Sequence, residues 1–417
     1  MALEADTDGS PSPCFDGLDA LYRGAMPYPF QRNRELLAPH QPGADPVIDL
    51  TLGEPREAMP SFVAEKIAEA AALYAKYPPI KGSDALRSAI ADWLGRRYGL
   101  VGEKAVDPAS EILPTNGSRE ALFYAALPAV GRKAKVAKPA ILMCNPYYAA
   151  YIGSAFATNA EPIYLNATRD TGFLPDLDWL EQQPELLART AAFYLCSPAN
   201  PQGVLASPAY TKRALELARR YDFMLFFDEC YSEIYDAEQP VGGLEVAAES
   251  SKRFANILVF NSLSKRSNMP GLRSGFCAGD AAFLNAVVGV RNLIGPQVPL
   301  PTQHVSVAAW QDEAHVAAAR ARYREKFDVC DRVLEGRYGY KRAAGGFFLW
   351  LNMTHFGGGV EAAVTIWKRC GVRGIPGAFL DMPDAAGVNP GDDYVRVALV
   401  DTPERLELAL KRIVEVL

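Results

Sequence analysis

The stretch that decides the fold is ILVFNSLSKRSNMPGLR, at residues 257–273. Its first four residues are apolar and predict a buried strand, which delivers a polar segment to the strand's carboxyl end. Lys265 lies in that segment with Ser262, Ser264 and Arg273, whose hydroxyl and guanidinium groups converge where a phosphate can be held. A lysine amine near cationic groups in a partly apolar site has a lowered pKa and forms a Schiff base with a carbonyl. The stretch therefore predicts the anchor of a phosphate-bearing aldehyde cofactor, with a solvated loop lysine as the alternative.

The composition is that of a globular enzyme with room for a large site. The chain has 417 residues, 49% hydrophobic and 22% charged, a length that favours two domains or one large domain with a smaller lobe. The net charge of −6 argues against a nucleic-acid partner. Seven scattered cysteines and four histidines without paired spacing predict neither disulfides nor a metal centre. Without a secretory signal or an apolar run of about 20 residues, we expect a cytoplasmic protein with no membrane partner.

Short β-rich runs alternate with helical patterns from Pro139 onward. The runs occupy residues 140–143, 162–165, 190–195, 223–227, 257–260 and 274–278. This alternation predicts an α/β domain with a mostly parallel sheet, preceded by helices at 62–74 and 85–98. An Ala- and Arg-rich stretch at 305–334 predicts one extended helix leading to a C-terminal lobe. That lobe has predicted strands at 347–351 and 394–400 and a helix from Pro403, while the Pro-rich residues 26–30 predict an extended segment.

Three further segments carry residues suited to a flat, phosphorylated ligand. Residues 115–120, TNGSRE, form a turn that opens a helix, whose free N–H groups favour a phosphate; an ordinary capping box is the alternative. Residues 145–148, NPYY, can lay an aromatic ring on a heterocycle, with core aromatics as the alternative. Residues 197–203, SPANPQG, form a turn that fixes Asn200 at the carboxyl end of a strand, where ligands bind in open α/β sheets.

A fourth segment, LFFDECY at residues 225–231, runs from an apolar strand directly into a carboxylate. Beside a pyridine nitrogen, a buried Asp228 would keep that nitrogen protonated, and the protonated ring is an electron sink that stabilises a carbanion. Tyr231 can donate a hydrogen bond to a ring oxygen. An aspartate that caps the next helix is the alternative.

Together these segments resemble the fold type I, class I/II aminotransferases that use pyridoxal 5′-phosphate, over residues 49–400. The resemblance implies a large domain with a mostly parallel seven-stranded sheet between helices, plus a smaller α/β lobe. It implies an N-terminal segment (1–60) that joins the small domain, a large cofactor-binding domain (61–305) and a C-terminal small domain (306–417). It also implies a homodimer with shared active sites that takes small amino acid and keto acid substrates.

The resemblance also assigns roles at the cofactor. Lys265 resembles the Schiff-base lysine, Asp228 the partner of the pyridine nitrogen, and Tyr231 and Asn200 the partners of the ring oxygen. Tyr148, in preference to Tyr147, resembles the residue that stacks on the ring. The positions that resemble phosphate contacts are Gly117, Ser118, Arg119, Ser262, Ser264 and Arg273.

At the substrate, Arg396 resembles the arginine that grips the α-carboxylate, a task that suits a guanidinium because it pairs two oxygens at once. Gly53 matches the position where the backbone approaches the substrate, and Asn200 lies at the same end of the site. Tyr77 resembles a tyrosine that reaches the phosphate of the neighbouring subunit. The resemblance therefore predicts an active site built from both copies.

A finer resemblance concerns the substrate. The strings SLSKRSN at 262–268 and MPYPF at 26–30 resemble the N-succinyldiaminopimelate aminotransferases of lysine and cell-wall precursor synthesis. This implies amino transfer between glutamate/2-oxoglutarate and N-succinyl-2-amino-6-oxopimelate, with Arg266 as the departure from the common class pattern. The candidates for binding the substrate's distal carboxylate are Arg23, Arg32, Lys81, Arg266 and Arg291.

Two other classes of function share this scaffold. Aminotransferases for aspartate, aromatic amino acids or kynurenine, and C–S lyases, are not separated by fold. Cofactor-sensing transcription regulators resemble a fusion of such a domain with an N-terminal helix-turn-helix domain. Here about forty residues precede the match, without a basic recognition helix, so we expect no regulator.

Overall fold

A seven-stranded sheet forms the centre of the computed structural model, which describes residues 28–384 and 386–417. Its strands are β1 (Ile112–Thr115), β2 (Ala140–Asn145), β3 (Glu161–Asn166), β4 (Thr190–Cys196), β5 (Met224–Asp228), β6 (Ile257–Ser262) and β7 (Gly275–Gly279). They lie in the order β1-β7-β6-β5-β4-β2-β3, and only β7 runs antiparallel to its neighbours. The predicted α/β fold with a mostly parallel seven-stranded sheet is confirmed.

The central strands are buried because helices cover both faces of the sheet. All residues of β4, β5 and β6 are buried. Along β5, Leu225 and Phe227 enter one apolar core while Met224 and Phe226 enter the other, as the alternation of side chains in a strand requires. The carboxyl ends of these three parallel strands meet at one edge of the sheet, where Asp228 and Ser262 are the last strand residues.

Helices fill the connections between the strands and cover the sheet. Those of eight residues or more are Pro29–Leu37, Val63–Ala70, Asp84–Tyr98, Ser118–Arg132, Ala149–Ala157, Pro208–Tyr221, Ala281–Ile294, Leu300–Gln311, Ala314–Leu334, Gly358–Cys370 and Pro403–Val416. Shorter ones are Leu177–Glu181, Pro184–Arg189, Gly243–Ala247 and Leu263–Arg266. Within the described part of the chain, no helix has the length and apolar character needed to cross a membrane.

A second, smaller sheet lies in the C-terminal part. It is antiparallel and contains, in order, Ile375–Pro376, Tyr394–Ala398 and Phe348–Asn352. Separately, Ile48–Asp49 pairs in parallel with Val372–Arg373, which attaches the N-terminal segment to this part of the molecule. Ile48 and Leu50 belong to the same apolar core as the C-terminal helix Pro403–Val416.

Two local predictions are wrong. The single helix expected at 305–334 is broken, because Asp312 leaves the first helix and its carboxylate accepts a hydrogen bond from the backbone N–H of His315, at 3.1 Å, in the first turn of the next. The extended segment expected at 26–30 becomes helical at Pro29, where proline is preorganised for the first helical turn; residues 26 and 27 lie outside the described residues.

The break between the two helices bears on the domain boundary. The first helix, Leu300–Gln311, packs against Val63–Ala70 and Asp84–Tyr98 of the large domain, whereas Ala314–Leu334 packs against Pro403–Val416. We therefore propose Asp312 and Glu313 as the junction, because a boundary after residue 305 would divide a continuous helix.

Candidate active site

A cavity of about 910 Å³ opens at the carboxyl edge of the large sheet, and Phe348 and Arg396 of the small C-terminal sheet also line it. Its lining includes twelve of the predicted site residues: Gly53, Ser118, Arg119, Tyr148, Asn200, Asp228, Tyr231, Ser262, Ser264, Lys265, Arg273 and Arg396. These residues come from segments as far apart as 53 and 396 in the chain. The structure thus brings together what the sequence presents as separate motifs.

Lys265 is held in a short helix immediately after β6. Ser262 caps that helix, its hydroxyl accepting a hydrogen bond from the backbone N–H of Ser264 at 3.1 Å. The ammonium group donates to the backbone carbonyl of Gly53. Burial, with smaller contributions from the cations Arg396 and Arg273, lowers the pKa of Lys265 to about 8. About a tenth of this amine is therefore neutral and nucleophilic at pH 7, far more than for a lysine with an ordinary pKa.

Asp228 ends β5 as a buried carboxylate, with 4% of the residue exposed. Its Oδ1 accepts from the backbone N–H of Cys230 at 3.1 Å, and its Oδ2 accepts from the hydroxyl of Tyr151 at 2.7 Å. Burial raises the pKa of Asp228, and these hydrogen bonds oppose that shift. The described residues leave it without an ion-pair partner, so a cationic ligand group in the cavity would be stabilised beside it.

Asn200, Tyr231 and Arg396 form one hydrogen-bonded chain across the domain junction. The Asn200 amide nitrogen donates to the Tyr231 hydroxyl at 3.3 Å, and the Asn200 amide oxygen accepts from Arg396 at 3.2 Å. Arg396 also donates to the backbone carbonyl of Thr51 at 2.8 Å. Burial lowers the pKa of Arg396 to about 10, and its Nε has no partner among the described groups. The site therefore holds a buried guanidinium suited to a ligand carboxylate.

A cradle lined by small residues lies at the start of the helix Ser118–Arg132. Gly117 precedes this helix with φ +81°, and no side chain caps the helix. A Cβ at Gly117 would lie 2.3 Å from the guanidinium of Arg273, so only glycine lets the two approach. The hydroxyls of Ser262 and Ser264, 2.9 Å apart, and that of Ser118 face the same cavity. Free N–H groups, hydroxyls and one cation match the needs of a phosphate.

The two adjacent tyrosines point to different surroundings. The hydroxyl of Tyr148 accepts from Arg119 at 2.7 Å, and its ring meets the ring of Tyr151 edge-on at 5.7 Å. The ring of Tyr147 instead packs against Tyr164, with centroids 5.8 Å apart. Tyr148 is therefore the one next to the Asp228 side of the cavity. Arg119 is turned toward this tyrosine in the structure, whereas the sequence assigned it to the phosphate.

Only one of the five candidate cations for a distal carboxylate lines the cavity among the described residues. This is Arg32, whose guanidinium lies 4.1 Å from the ring centroid of Phe379 and donates to the carbonyl of Ala378 at 3.4 Å. The prediction that Arg266 or Arg291 binds a distal carboxylate is wrong, because both are buried outside the cavity. Arg266 pairs with Glu313 at 2.7 Å, and Arg291 pairs with Glu120 at 3.3 Å.

Of the other predicted residues that the structure describes, Gly117, Lys81 and Tyr77 are not part of the cavity lining, although Gly117 lies against Arg273, which is. Lys81 is exposed in a loop, and Arg23 lies outside the described residues. Tyr77 is 98% exposed and does not line the cavity of its own chain.

Sequence reasoning missed three residues of the site. Tyr151 bonds Asp228; Tyr28 approaches the guanidinium of Arg119; and the Cys230 thiol donates to the Ser118 hydroxyl at 3.0 Å. The spacing of Tyr148 and Tyr151, three residues apart at the start of a helix, places both on one helical face and was the available signal for Tyr151.

Comparison with known proteins places this geometry in a family. The family model for aminotransferase class I and II matches residues 45–413. The 4-dedimethylamino-4-oxo-anhydrotetracycline transaminase OxyQ of Streptomyces rimosus is 34% identical over 88% of this chain and 93% of its own. LL-diaminopimelate aminotransferase 2 of Trichormus variabilis is 29% identical over 93% of this chain and 95% of its own. A crystal structure of an aminotransferase from Neisseria meningitidis superimposes with a TM-score of 0.88, at 36% identity, covering 95% of this chain and 99% of that one.

The chain belongs to the class I and II aminotransferases, which are enzymes dependent on pyridoxal phosphate. The residues present fit that cofactor. They supply a buried lysine of lowered pKa, a buried carboxylate, an aromatic ring and a glycine-lined cradle with free N–H groups. None of the three relatives above is described as an N-succinyldiaminopimelate aminotransferase, so the family is shown and the substrate is not.

Proposed function

We propose that the protein transfers an amino group between glutamate/2-oxoglutarate and N-succinyl-2-amino-6-oxopimelate. The observation that carries this proposal is a cavity of about 910 Å³ in which two of the four lining arginines, Arg396 and Arg32, lie apart from the phosphate cradle and from Tyr148. Neither forms an ion pair with a carboxylate of the described residues. A long substrate with a carboxylate at each end would satisfy both. The similarity to LL-diaminopimelate aminotransferases supports a diaminopimelate skeleton.

At the cofactor end of the cavity, each residue would have a separate role toward the cofactor. Pyridoxal phosphate, when bound, supplies an electron sink that makes the substrate α-carbon acidic. Lys265 would hold the aldehyde covalently and then move the proton at the substrate carbon, since its lowered pKa suits a general base. Asp228 would hold a proton on the pyridine nitrogen, and Tyr231 and Asn200 would donate to the ring oxygen. Tyr148 would stack on the ring.

The phosphate would lie in the cradle already described. Gly117, Ser118, Ser262, Ser264 and Arg273 surround that space, and the closeness of Arg273 to Gly117 supports this assignment. Arg119 would donate its hydrogen bond to the hydroxyl of Tyr148 and would not contact the phosphate.

The substrate end would be formed by residues of both domains. Arg396 would bind the α-carboxylate with two parallel hydrogen bonds. Gly53 would present its backbone to the substrate, since it lines the cavity; it packs so closely on Phe348 that a Cβ would lie 2.6 Å from that ring. Arg32 would bind the distal carboxylate. Asp381 lies near Arg32 but does not line the cavity, and one of its oxygens accepts from the backbone N–H of Gly391.

The active unit would be a homodimer. Tyr77 is almost fully exposed, and the apolar residues Leu293 and Ile294 are 84% and 61% exposed. Such exposed apolar groups favour contact with a second copy. Tyr77 would reach the phosphate of that copy, so a Tyr77→Phe variant should lose affinity for the cofactor without a change in oligomeric state.

The proposal is tested by adding candidate donors separately to the purified, cofactor-loaded enzyme and following the absorbance of the bound cofactor. We expect fast responses to glutamate and N-succinyl-diaminopimelate and slow ones to aspartate. A fast response to LL-diaminopimelate with none to the succinylated compound would support a substrate with a diaminopimelate skeleton and would reject the succinylated substrate. A protein with Lys265→Ala serves as the control, in which no donor should convert the bound cofactor to its amine form.

One observation favours a second candidate, an aminotransferase for a large aromatic substrate. The cavity walls are rich in aromatic side chains, including Tyr28, Phe30, Phe173, Phe348 and Phe379. The similarity to OxyQ, named for an anhydrotetracycline, supports such a substrate. An aromatic donor that responds faster than both diaminopimelate compounds would favour this candidate.

A further inference from the structure

Tyr151 occupies a fixed position behind the carboxylate at the end of β5. Its residue is 1% exposed, and its hydroxyl donates to Oδ2 of Asp228 at 2.7 Å. Its ring stacks on that of Tyr194, with centroids 4.5 Å apart and planes at 12°. A hydroxyl on a ring held this way cannot move far, so the direction of its hydrogen bond is set by the packing.

The support for Tyr151 is itself hydrogen-bonded. The Tyr194 hydroxyl donates to the carbonyl of Leu122 at 2.6 Å and lies 2.9 Å from the hydroxyl of Ser154. Ser154 in turn donates to the backbone carbonyl of Tyr151 at 2.7 Å. Hydrogen bonds therefore connect the stacked pair of tyrosines to two helices that flank the cavity, Ser118–Arg132 and Ala149–Ala157.

Tyr151 can act toward Asp228 only as a donor. Burial, with the nearby charge of Asp228, raises the pKa of Tyr151 well above its usual value, so the phenol stays protonated. The carboxylate then receives one hydrogen bond on each oxygen, from Tyr151 and from the backbone of Cys230. Each carboxylate oxygen retains a second lone-pair site for a ligand in the cavity.

We propose that Tyr151 is a positioning residue that keeps Asp228 ionised and oriented toward the cofactor's ring nitrogen. This inference rests on the proposed role of Asp228. Two donors stabilise the charged form of a buried carboxylate. Without the phenol, Asp228 becomes a stronger proton acceptor, and the proton that it shares with the ring nitrogen moves from that nitrogen to the carboxylate. The ring then withdraws electrons less strongly.

The test compares Tyr151→Phe with Tyr194→Phe. Both changes remove one buried hydroxyl from the same aromatic stack, but only the first hydroxyl contacts Asp228. With ¹⁵N-labelled cofactor, we expect the ring-nitrogen resonance of the Tyr151→Phe enzyme to shift toward the deprotonated position between pH 6 and 9. We expect kcat for glutamate to fall on the order of tenfold, the usual effect of one hydrogen bond to a charged group, with KM unchanged. Tyr194→Phe keeps the stacked ring and the direct hydrogen bond to Asp228, so it should change the resonance and kcat much less than Tyr151→Phe does.

The possible results distinguish a failure of the role of Tyr151 from a failure of the role of Asp228. An Asp228→Asn enzyme with an unchanged ring-nitrogen resonance would refute the role of Asp228 and with it this inference. An altered resonance in Asp228→Asn but a wild-type resonance and kcat in Tyr151→Phe would overturn the role of Tyr151 alone. If Tyr151→Phe does not fold, 3,5-difluorotyrosine at position 151 keeps the hydrogen bond and makes it a stronger donor. The resonance should then stay at the protonated position or move toward it, and a shift in the deprotonated direction would overturn the inference.

Discussion

The two ends of the cavity differ in how firmly their polar groups are held. At the cofactor end, Asp228 receives two hydrogen bonds and Ser262 caps the helix that carries Lys265. At the distal end, Arg32 has one contact to a carbonyl at 3.4 Å and a face-on contact with Phe379. On the proposed roles, the reaction chemistry would rest on preorganised groups, whereas specificity would rest on a side chain with few fixed contacts.

Removing the amine of Lys265 is the strongest way to test this contrast. We expect Lys265→Ala to lower turnover with every donor by more than about a thousandfold, since the residue is both covalent anchor and general base. Steady-state assay with glutamate, together with the spectrum of the bound cofactor, measures this. Lys252→Ala, a change at an exposed lysine of the large domain, is the control. Retention of a tenth of the wild-type rate would contradict the assignment.

Neutralising Asp228 is expected to have the next largest effect. Asp228→Asn keeps the side chain's shape but removes its charge, so we expect the cofactor to remain bound while kcat falls about a hundredfold, the order expected for a buried charge-assisted hydrogen bond. Cofactor content and kcat should be measured on the same sample. A full rate at full cofactor content would refute the role of the carboxylate.

The two arginines compare the two ends of the cavity directly. We expect Arg396→Gln to raise KM for all amino donors about thirtyfold, because every donor has an α-carboxylate. Arg32→Gln should raise KM about tenfold, and only for donors that carry a distal carboxylate. Arg34→Gln is the matched control, since Arg34 lies on the same helix as Arg32 but is exposed and outside the cavity lining. Equal losses for short and long donors with Arg32→Gln would reject its role.

The sequence predicted the cofactor end far better than the distal end, for physical reasons. Apolar runs that end in a polar residue fix which side chains reach the carboxyl edge of a parallel sheet, as with Asp228 and Lys265. The orientation of Arg266 was not predictable in this way, because it depends on packing between Trp93 and Trp310. The break at Asp312 was hidden by a helical pattern that continues on both sides of it.

Tyr151 illustrates the same limit at the cofactor end. Its hydrogen bond joins residues 77 positions apart, and no local pattern specifies such a pair. Its role depends on the phase of the helix Ala149–Ala157 relative to β5, which tertiary packing decides.

The smallest expected effect concerns the pH dependence of cofactor capture. Below a pKa of about 8 the Lys265 amine is protonated and cannot attack an aldehyde, and above that pKa it is neutral. The rate at which the apoprotein captures pyridoxal phosphate should therefore rise about tenfold between pH 7 and 9 and then level off. Stopped-flow absorbance measures this rate, with free lysine as the reference. A rate that keeps rising to pH 10 would show that Lys265 has an ordinary pKa. It would then contradict the claim that the cofactor end of the cavity contains a preorganised amine.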